Sequence, residues 1–333
     1  MNRVVEPNLS SDQLASPNPA VVTASSTAIR PIVVPLGLVT VRAETPLLPR
    51  AAFVTITLAS LLGAFFTGRT LGLAGAALLW RWSAFWALAA STGFLAWRSF
   101  YLRDDEPGID AGRVRALVAA QLERVRIVRW ALAPLLVVAA LVPVTTGYLA
   151  PWQAGVLCAG AAVMAVLVLA SPRNRRAGAL GAVLGIGLLS VWGVADSHGD
   201  PYLSVVRGVH LAAFAAWLGG ALFNLAAAVP AGRLHLNLDA VVAGARQLER
   251  FRVVVRTALP TIAATGAWMA LRYAGVASPF WRGEMGWMIS AKVGLILVLV
   301  VIFITCPLYR ACSPVRGVCD LDDLRADAPE VRG

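Results

Sequence analysis

The chain has little charge, a single lysine, and few of the residues that usually hold metals or carry acid-base chemistry. Only 14% of its 333 residues are charged, against about 25% in an average soluble domain. Together with a mean hydropathy of +0.71, that scarcity excludes a soluble globular domain of this size and a mainly disordered chain. The four cysteines, at positions 158, 306, 312 and 319, fit neither a disulfide framework nor a CxxC metal site. No nucleophile and base arrangement, phosphate loop, dinucleotide fingerprint or paired carboxylate within an apolar run is present, so nothing supports an enzyme.

What the chain does have is apolar length. A membrane-spanning helix takes about 20 apolar residues, and eight segments qualify: roughly 51–68, 79–100, 129–149, 152–170, 177–196, 204–229, 254–275 and 286–306. They lack the alternation of barrel strands, and lipid leaves helices as the other way to satisfy every backbone polar group. The expected fold is therefore all-α, a polytopic integral membrane protein with eight transmembrane helices. Residues 1–48 read as a flexible N-terminal tail without the basic lead-in of a signal peptide. The run 32–41 within them is too short to span. Residues 310–333 read as a C-terminal tail.

The net charge of +11 comes from arginine; every basic residue but Lys292 is Arg. These arginines are interspersed between apolar runs, which is a topology signal and not a nucleic-acid-binding face. The second gap holds Arg103, Arg113, Arg115, Arg124 and Arg126, the fourth Arg173, Arg175 and Arg176, and the sixth Arg233, Arg246, Arg250 and Arg252. The third gap has no basic residue and the fifth is acidic, which places the Arg-rich gaps and both termini in the cytoplasm. Arg69, Arg272 and Arg282 run against this trend. The three distal cysteines would then be reduced thiols, able to bind a soft metal or to serve as ordinary small residues.

The two halves echo one another. Gln121-Leu-Glu-Arg-Val-Arg-Ile-Val recurs as Gln247-Leu-Glu-Arg-Phe-Arg-Val-Val, and at the same offset Arg81 falls on Arg207 and Gly93 on Gly219. This suggests two parallel four-helix repeats, 49–172 and 173–309, or two linkers that converged on one composition. All three histidines, His198, His210 and His235, lie in the second half. The first half thus reads as scaffold.

At 3.6 residues per turn His210, Phe214, Trp217, Ala221 and Asn224 form one stripe of span six. That stripe should face the bundle interior, where an ionisable residue usually meets a cavity, a partner or an ion. A histidine bonded to a neighbouring helix's carbonyl is the plainer alternative. Gly219 and Gly220 allow close helix approach. Drawn on the topology, His198 beside Asp196, His210, Met269, Met285 and Met288 all gather near the outer face. Imidazole suits copper or zinc and thioether favours Cu(I), so a copper entry site is chemically plausible. Lys292 would snorkel outward, pair with Glu284, or control the ion path.

The second half resembles the copper resistance D (CopD) family of bacterial inner-membrane proteins. The resemblance rests on the run His210 to Gly220, on Ser197-His198-Gly199, Arg250-Phe251, Thr265-Gly266 and Ser290-Ala-Lys292, over roughly residues 180–310. It implies a plasma-membrane protein that handles copper, with copper ions as cargo and a periplasmic copper carrier as partner. Ser197 and Gly199 depart from the family's Gly-His-Ala type sequence, methionines are few, and such a chain could instead be a structural subunit of a larger membrane complex. A b-type haem held by His198 and His210 is a further alternative.

Overall fold

The computed structural model describes residues 47–147, 149–235, 238–274 and 282–305. The run 32–41, most of the N-terminal tail, the C-terminal tail and Cys306, Cys312 and Cys319 lie outside the described residues. Within them there is no strand, and eight long helices run in order: α1 (Leu47–Thr70), α2 (Ala76–Ala96), α3 (Ala111–Thr146), α4 (Pro151–Ala170), α5 (Arg175–Ala195), α6 (Pro201–Phe223), α7 (Leu238–Ala274) and α8 (Glu284–Thr305). Each expected apolar segment falls largely on one of them. Six, namely α1 and α4 to α8, are long and apolar enough to cross a membrane. In α2, Arg81 and the tryptophans at 80, 82 and 86 dilute the apolar run. In α3, a basic first half leaves a short apolar one.

The surface is inverted relative to a soluble protein. Trp130, Val137, Leu141, Val166, Val183, Leu271 and Trp287 are exposed, while Arg81, Asp196, Arg207 and Gln247 are buried. An apolar exterior around a partly polar interior is stable only in a bilayer, where hydrocarbon solvates the outer side chains and polar groups must find partners inside.

Helix α6 is the most enclosed of the spans and α8 the least, with 61% and 11% of their apolar windows buried. The reason α6 can sit at the centre is its small residues. A side-chain carbon at Gly219 would overlap the backbone of Gly93 and Phe94, and one at Gly93 would overlap the Ala215 carbonyl, so α2 and α6 cross with their backbones in contact. Gly220 makes the same allowance for the Phe251 ring of α7. Small residues permit this approach, and dispersion between closely packed backbones then holds the helices together in lipid.

Several contacts join residues 126 positions apart. The Gln121 amide donates to Gln247 Oε1 at 2.7 Å and Arg113 pairs with Asp239 at 2.8 Å. Gly93 meets Gly219, and the Trp97 ring stacks on Phe223 with centroids 4.8 Å apart. Both α2 and α6 widen into a π-type turn at corresponding places, Trp97–Tyr101 and Asn224–Ala228.

The amphipathic linkers are not separate from the spans. Each forms the first half of a continuous helix, so α3 and α7 reach 36 and 37 residues. At 1.5 Å per residue this is about 55 Å, well beyond a hydrocarbon core of about 30 Å. Their protruding halves form the Arg-rich end of the bundle. There Glu106, 1% exposed, accepts from Arg250 at 2.5 Å while Arg250 also donates to the Tyr101 carbonyl at 2.8 Å.

At the opposite end, two of the three arginines that oppose the charge trend have carboxylate partners. Arg69 pairs with Glu284 at 3.2 Å, and Arg272 pairs with Asp200 while its guanidinium lies 5.5 Å over the Trp268 ring.

Candidate functional site

A cavity of about 110 Å³ lies between α1, α2, α6, α7 and α8, toward the end of the bundle that carries the α5–α6 turn. Its position follows from how α6 starts. Asp200 accepts from the Leu203 N–H at 3.1 Å and Pro201 takes the first helical position, where its missing donor costs nothing. The Leu203 hydrogen bond, with Arg272 adding its charge, holds the Asp200 carboxyl below the usual carboxylate range. Because the helix begins at Pro201, His210 is nine residues in, about 13 Å along the axis. A span starting at 204, as hydropathy places it, would put His210 six residues in, about 9 Å.

The expected stripe runs down α6 into the π-type turn that follows it, with Ala221 half-buried. His210, Phe214, Trp217 and Asn224 are buried, and the first three line the cavity. Asn224 does not reach it; its amide donates to the Gly220 carbonyl at 2.9 Å. Met269 and Lys292 lie on the same wall system as His210. The others do not join them. His198 is exposed on the turn, with φ of 50° followed by Gly199 at 82°, and Met285 and Met288 are half-buried at the start of α8, off the cavity wall.

The protonation of His210 can be read from its neighbour. Its Nδ1 is 2.8 Å from Thr265 Oγ1 on α7, and the Thr265 hydroxyl donates its one proton to the Thr261 carbonyl at 2.5 Å. With its proton so placed Thr265 accepts from His210, the arrangement of an Nδ1–H imidazole with its lone pair on Nε2; the Ile262 carbonyl of α7 is a further hydrogen-bond partner of the ring. A ring oriented by a hydrogen bond through one nitrogen, with the other left as donor, is how protein imidazoles are prepared to bind metals.

Charge fills one end of the cavity. Asp196, at the end of α5, is 5% exposed and pairs with Arg81, which is 3% exposed and donates also to the Ala64 carbonyl at 3.0 Å. Arg207 donates to the Asp196 backbone carbonyl. This three-charge cluster ties α1, α2, α5 and α6 together. Sequence inspection finds Asp196 and the Arg81–Arg207 correspondence but not their meeting, since the three residues are distant in the chain. It misses Gly63 too, whose absent side chain leaves room for Lys292: a carbon there would lie 2.8 Å from the ammonium nitrogen. Glu284 is engaged by Arg69, so Lys292 turns inward toward α1 instead of pairing with it.

Among the described residues no three His, Cys, Asp or Glu side chains gather as a metal cluster. Besides the ion-paired Asp196 carboxylate and the Ser60 and Thr67 hydroxyls, which donate to carbonyls of α1, the cavity offers one imidazole and one thioether, donors that would suit a soft monovalent ion better than a hard divalent one.

The fold and cavity define a class, a multi-span helical membrane protein with a buried, partly polar chamber between its central and peripheral helices. Residues 245–318 match the family model of copper resistance protein D. The matched segment holds most of α7, with Thr265 and Met269, and all of α8, with Lys292; His198 and His210 precede it. No curated protein and no solved structure matches the chain.

Proposed function

We propose that the protein is a copper permease of the bacterial plasma membrane. The observation that carries this reading is the His210 imidazole, hydrogen-bonded through Nδ1 to Thr265 and lining the same chamber as the Met269 thioether, on a chain whose α7 and α8 match a family named for copper resistance. Copper ions are the cargo. His198, exposed on the α5–α6 turn, takes the ion from the outer surface or from a periplasmic copper carrier, with Met285 or Met288 as further thioether donors at the mouth. His210 and Met269 receive it within the membrane, and Trp217, Gly219, Gly220 and Asn224 continue the path along α6 toward the Arg-rich side. That side is cytoplasmic, as are both termini. Asp196 and Lys292 set the electrostatics of the chamber, and no bond of a substrate is made or broken.

The same reading takes residues 49–172 and 173–309 as parallel repeats between an N-terminal tail (1–48) and a C-terminal tail (310–333). The meeting of Gln121 with Gln247, Gly93 with Gly219 and Trp97 with Phe223 supports an axis relating them along the membrane normal. Haem is less well supported than copper. The chamber of about 110 Å³ is well below the roughly 300–1,000 Å³ of ordinary ligand pockets, and His198 is not on its wall.

Metal analysis of the purified protein tests the assignment. Wild type loaded with Cu(I) is expected to retain the ion, and His210→Ala to fall to the background of an unloaded control while keeping its helix content and elution volume. Equal copper in both would remove His210 as the central ligand. Thr265→Val keeps the shape of the side chain but removes the acceptor for Nδ1–H; copper affinity is expected to fall about 10–100-fold, the usual cost of losing such an orienting contact. A competition titration with a Cu(I) chelator reads this directly, and an unchanged affinity would show that Thr265 does not position the ring. Uptake into vesicles then separates a transporter from a passive binder.

A further inference from the structure

The carboxylates at the chamber's end of the bundle are engaged. Asp196 pairs with Arg81, Asp200 with Arg272, and Glu284 with Arg69. Lys292 is the chamber-lining cation left over. Its side chain crosses from α8 toward Gly63 of α1 and its ammonium borders the chamber, with no hydrogen bond or ion pair to any of the described residues. An amine in hydrocarbon without an acceptor is costly, and such residues normally find a counter-charge.

The packing shows from where a counter-charge can come. α4 packs against both α3 and α5, whereas α8 packs almost wholly against α1 and hardly at all against α7. Yet α7 and α8 both supply walls of the chamber, Leu259 and Ile262 from one and Lys292, Ile296 and Leu299 from the other. Among the described residues these two walls hardly pack on each other, so the side of the chamber between them is the one least closed by helix packing. Apart from its charged end, Ser60, Thr67 and His210, it is lined mainly by apolar side chains, and the exposed residues Leu271 of α7 and Leu297 and Val301 of α8 are apolar too.

We propose that the chamber is a binding site for an anionic lipid, whose acidic headgroup pairs with Lys292 and whose acyl chain leaves between α7 and α8 into the bilayer. The recognised chemistry is a phosphodiester or carboxylate on an apolar tail. Only the headgroup enters, which a volume of about 110 Å³ accommodates. The lipid site depends on the chamber and not on copper, although a headgroup there would also offset the repulsion between the ammonium and a cation on His210.

The test uses the full-length protein in mild detergent, free of metal, with retained lipid read by native mass spectrometry. Dioleoyl phosphatidylglycerol or oleate is expected to bind at least tenfold more tightly than dioleoyl phosphatidylcholine. Retention of the glycerol lipid alone identifies a phosphodiester ligand, of oleate alone a fatty acid, and of both a site that reads charge on a tail. Lys292→Met is expected to abolish the preference and Lys292→Arg to restore it. Should the methionine variant fail to fold, Gly63→Ala, which sets a methyl group 2.8 Å from the ammonium nitrogen, is expected to weaken the same preference. Equal binding of the zwitterionic lipid, or a preference that survives Lys292→Met, overturns the inference. Copper content measured on separately loaded wild type keeps the two readings apart: lipid without copper removes the permease assignment alone, and copper without lipid removes the lipid site alone.

Discussion

Replacing Gly219 by valine is expected to lower the thermal midpoint of the purified protein sharply, and to shift it from a sharp elution peak toward aggregate. The first added carbon would occupy the position of the Gly93 backbone. Side chains can rotate away from an intruding methyl group, but a backbone can only move with its whole helix, so α2 and α6 must separate along their contact. Overpacking an ordinary core costs about 1–3 kcal/mol, and this site lies at or above that upper end. Against a total stability of about 5–15 kcal/mol, the loss is large. Gly187→Val is the control. A side-chain carbon attached there meets nothing within 4 Å and the position is exposed, so the effect is expected to stay within about 0.5 kcal/mol. Equal behaviour of the two variants in a thermal melt would show that the α2–α6 crossing does not hold the bundle.

Asp196→Ala is expected to be nearly as damaging, for an electrostatic reason. Arg81 and Arg207, both about 95% buried, each take a hydrogen bond acceptor from this one residue, the first from its carboxylate and the second from its backbone carbonyl. Alanine keeps the carbonyl that Arg207 uses and removes the carboxylate that pairs with Arg81. Removing one partner of a buried pair costs about 3–5 kcal/mol, because the remaining charge has lost its compensation. The double variant Asp196→Ala with Arg81→Met is expected to recover part of that loss, since it removes a stranded charge as well. A midpoint for Asp196→Ala within about 1 kcal/mol of wild type, or a double variant worse than the sum of its parts, would mean that the cluster contributes little to folding.

How much of the fold and the chamber is legible in the sequence depends on the distance between the residues involved. The apolar segments are local and give the helices directly. Their ends are less so: hydropathy starts the sixth span at residue 204, whereas Asp200 and Pro201 start the helix, because capping is decided by single side chains that an apolar run does not weigh. The linkers with Gln121 and Gln247 read as polar gaps but fold as the first halves of α3 and α7, since an amphipathic stretch with no breaker simply continues the helix. The stripe through His210, Phe214 and Trp217 is a helical periodicity and could be placed in the interior without coordinates. The hydrogen bond from His210 to Thr265 could not, because Thr265 is 55 residues away and nothing local indicates which of the three threonines in α7 will face the ring.

The sequence by itself determined that this chain is a helical membrane protein with its arginines concentrated at one end, because lipid solvation and backbone hydrogen bonding act on each segment independently of the others. Only the tertiary structure decided which imidazole and thioether share a chamber, which arginine meets Asp196 and which way Lys292 turns. Those outcomes depend on how closely neighbouring helices approach, and that distance is set by glycines far apart in the chain, Gly63, Gly93 and Gly219, whose significance appears only when another helix lies against them.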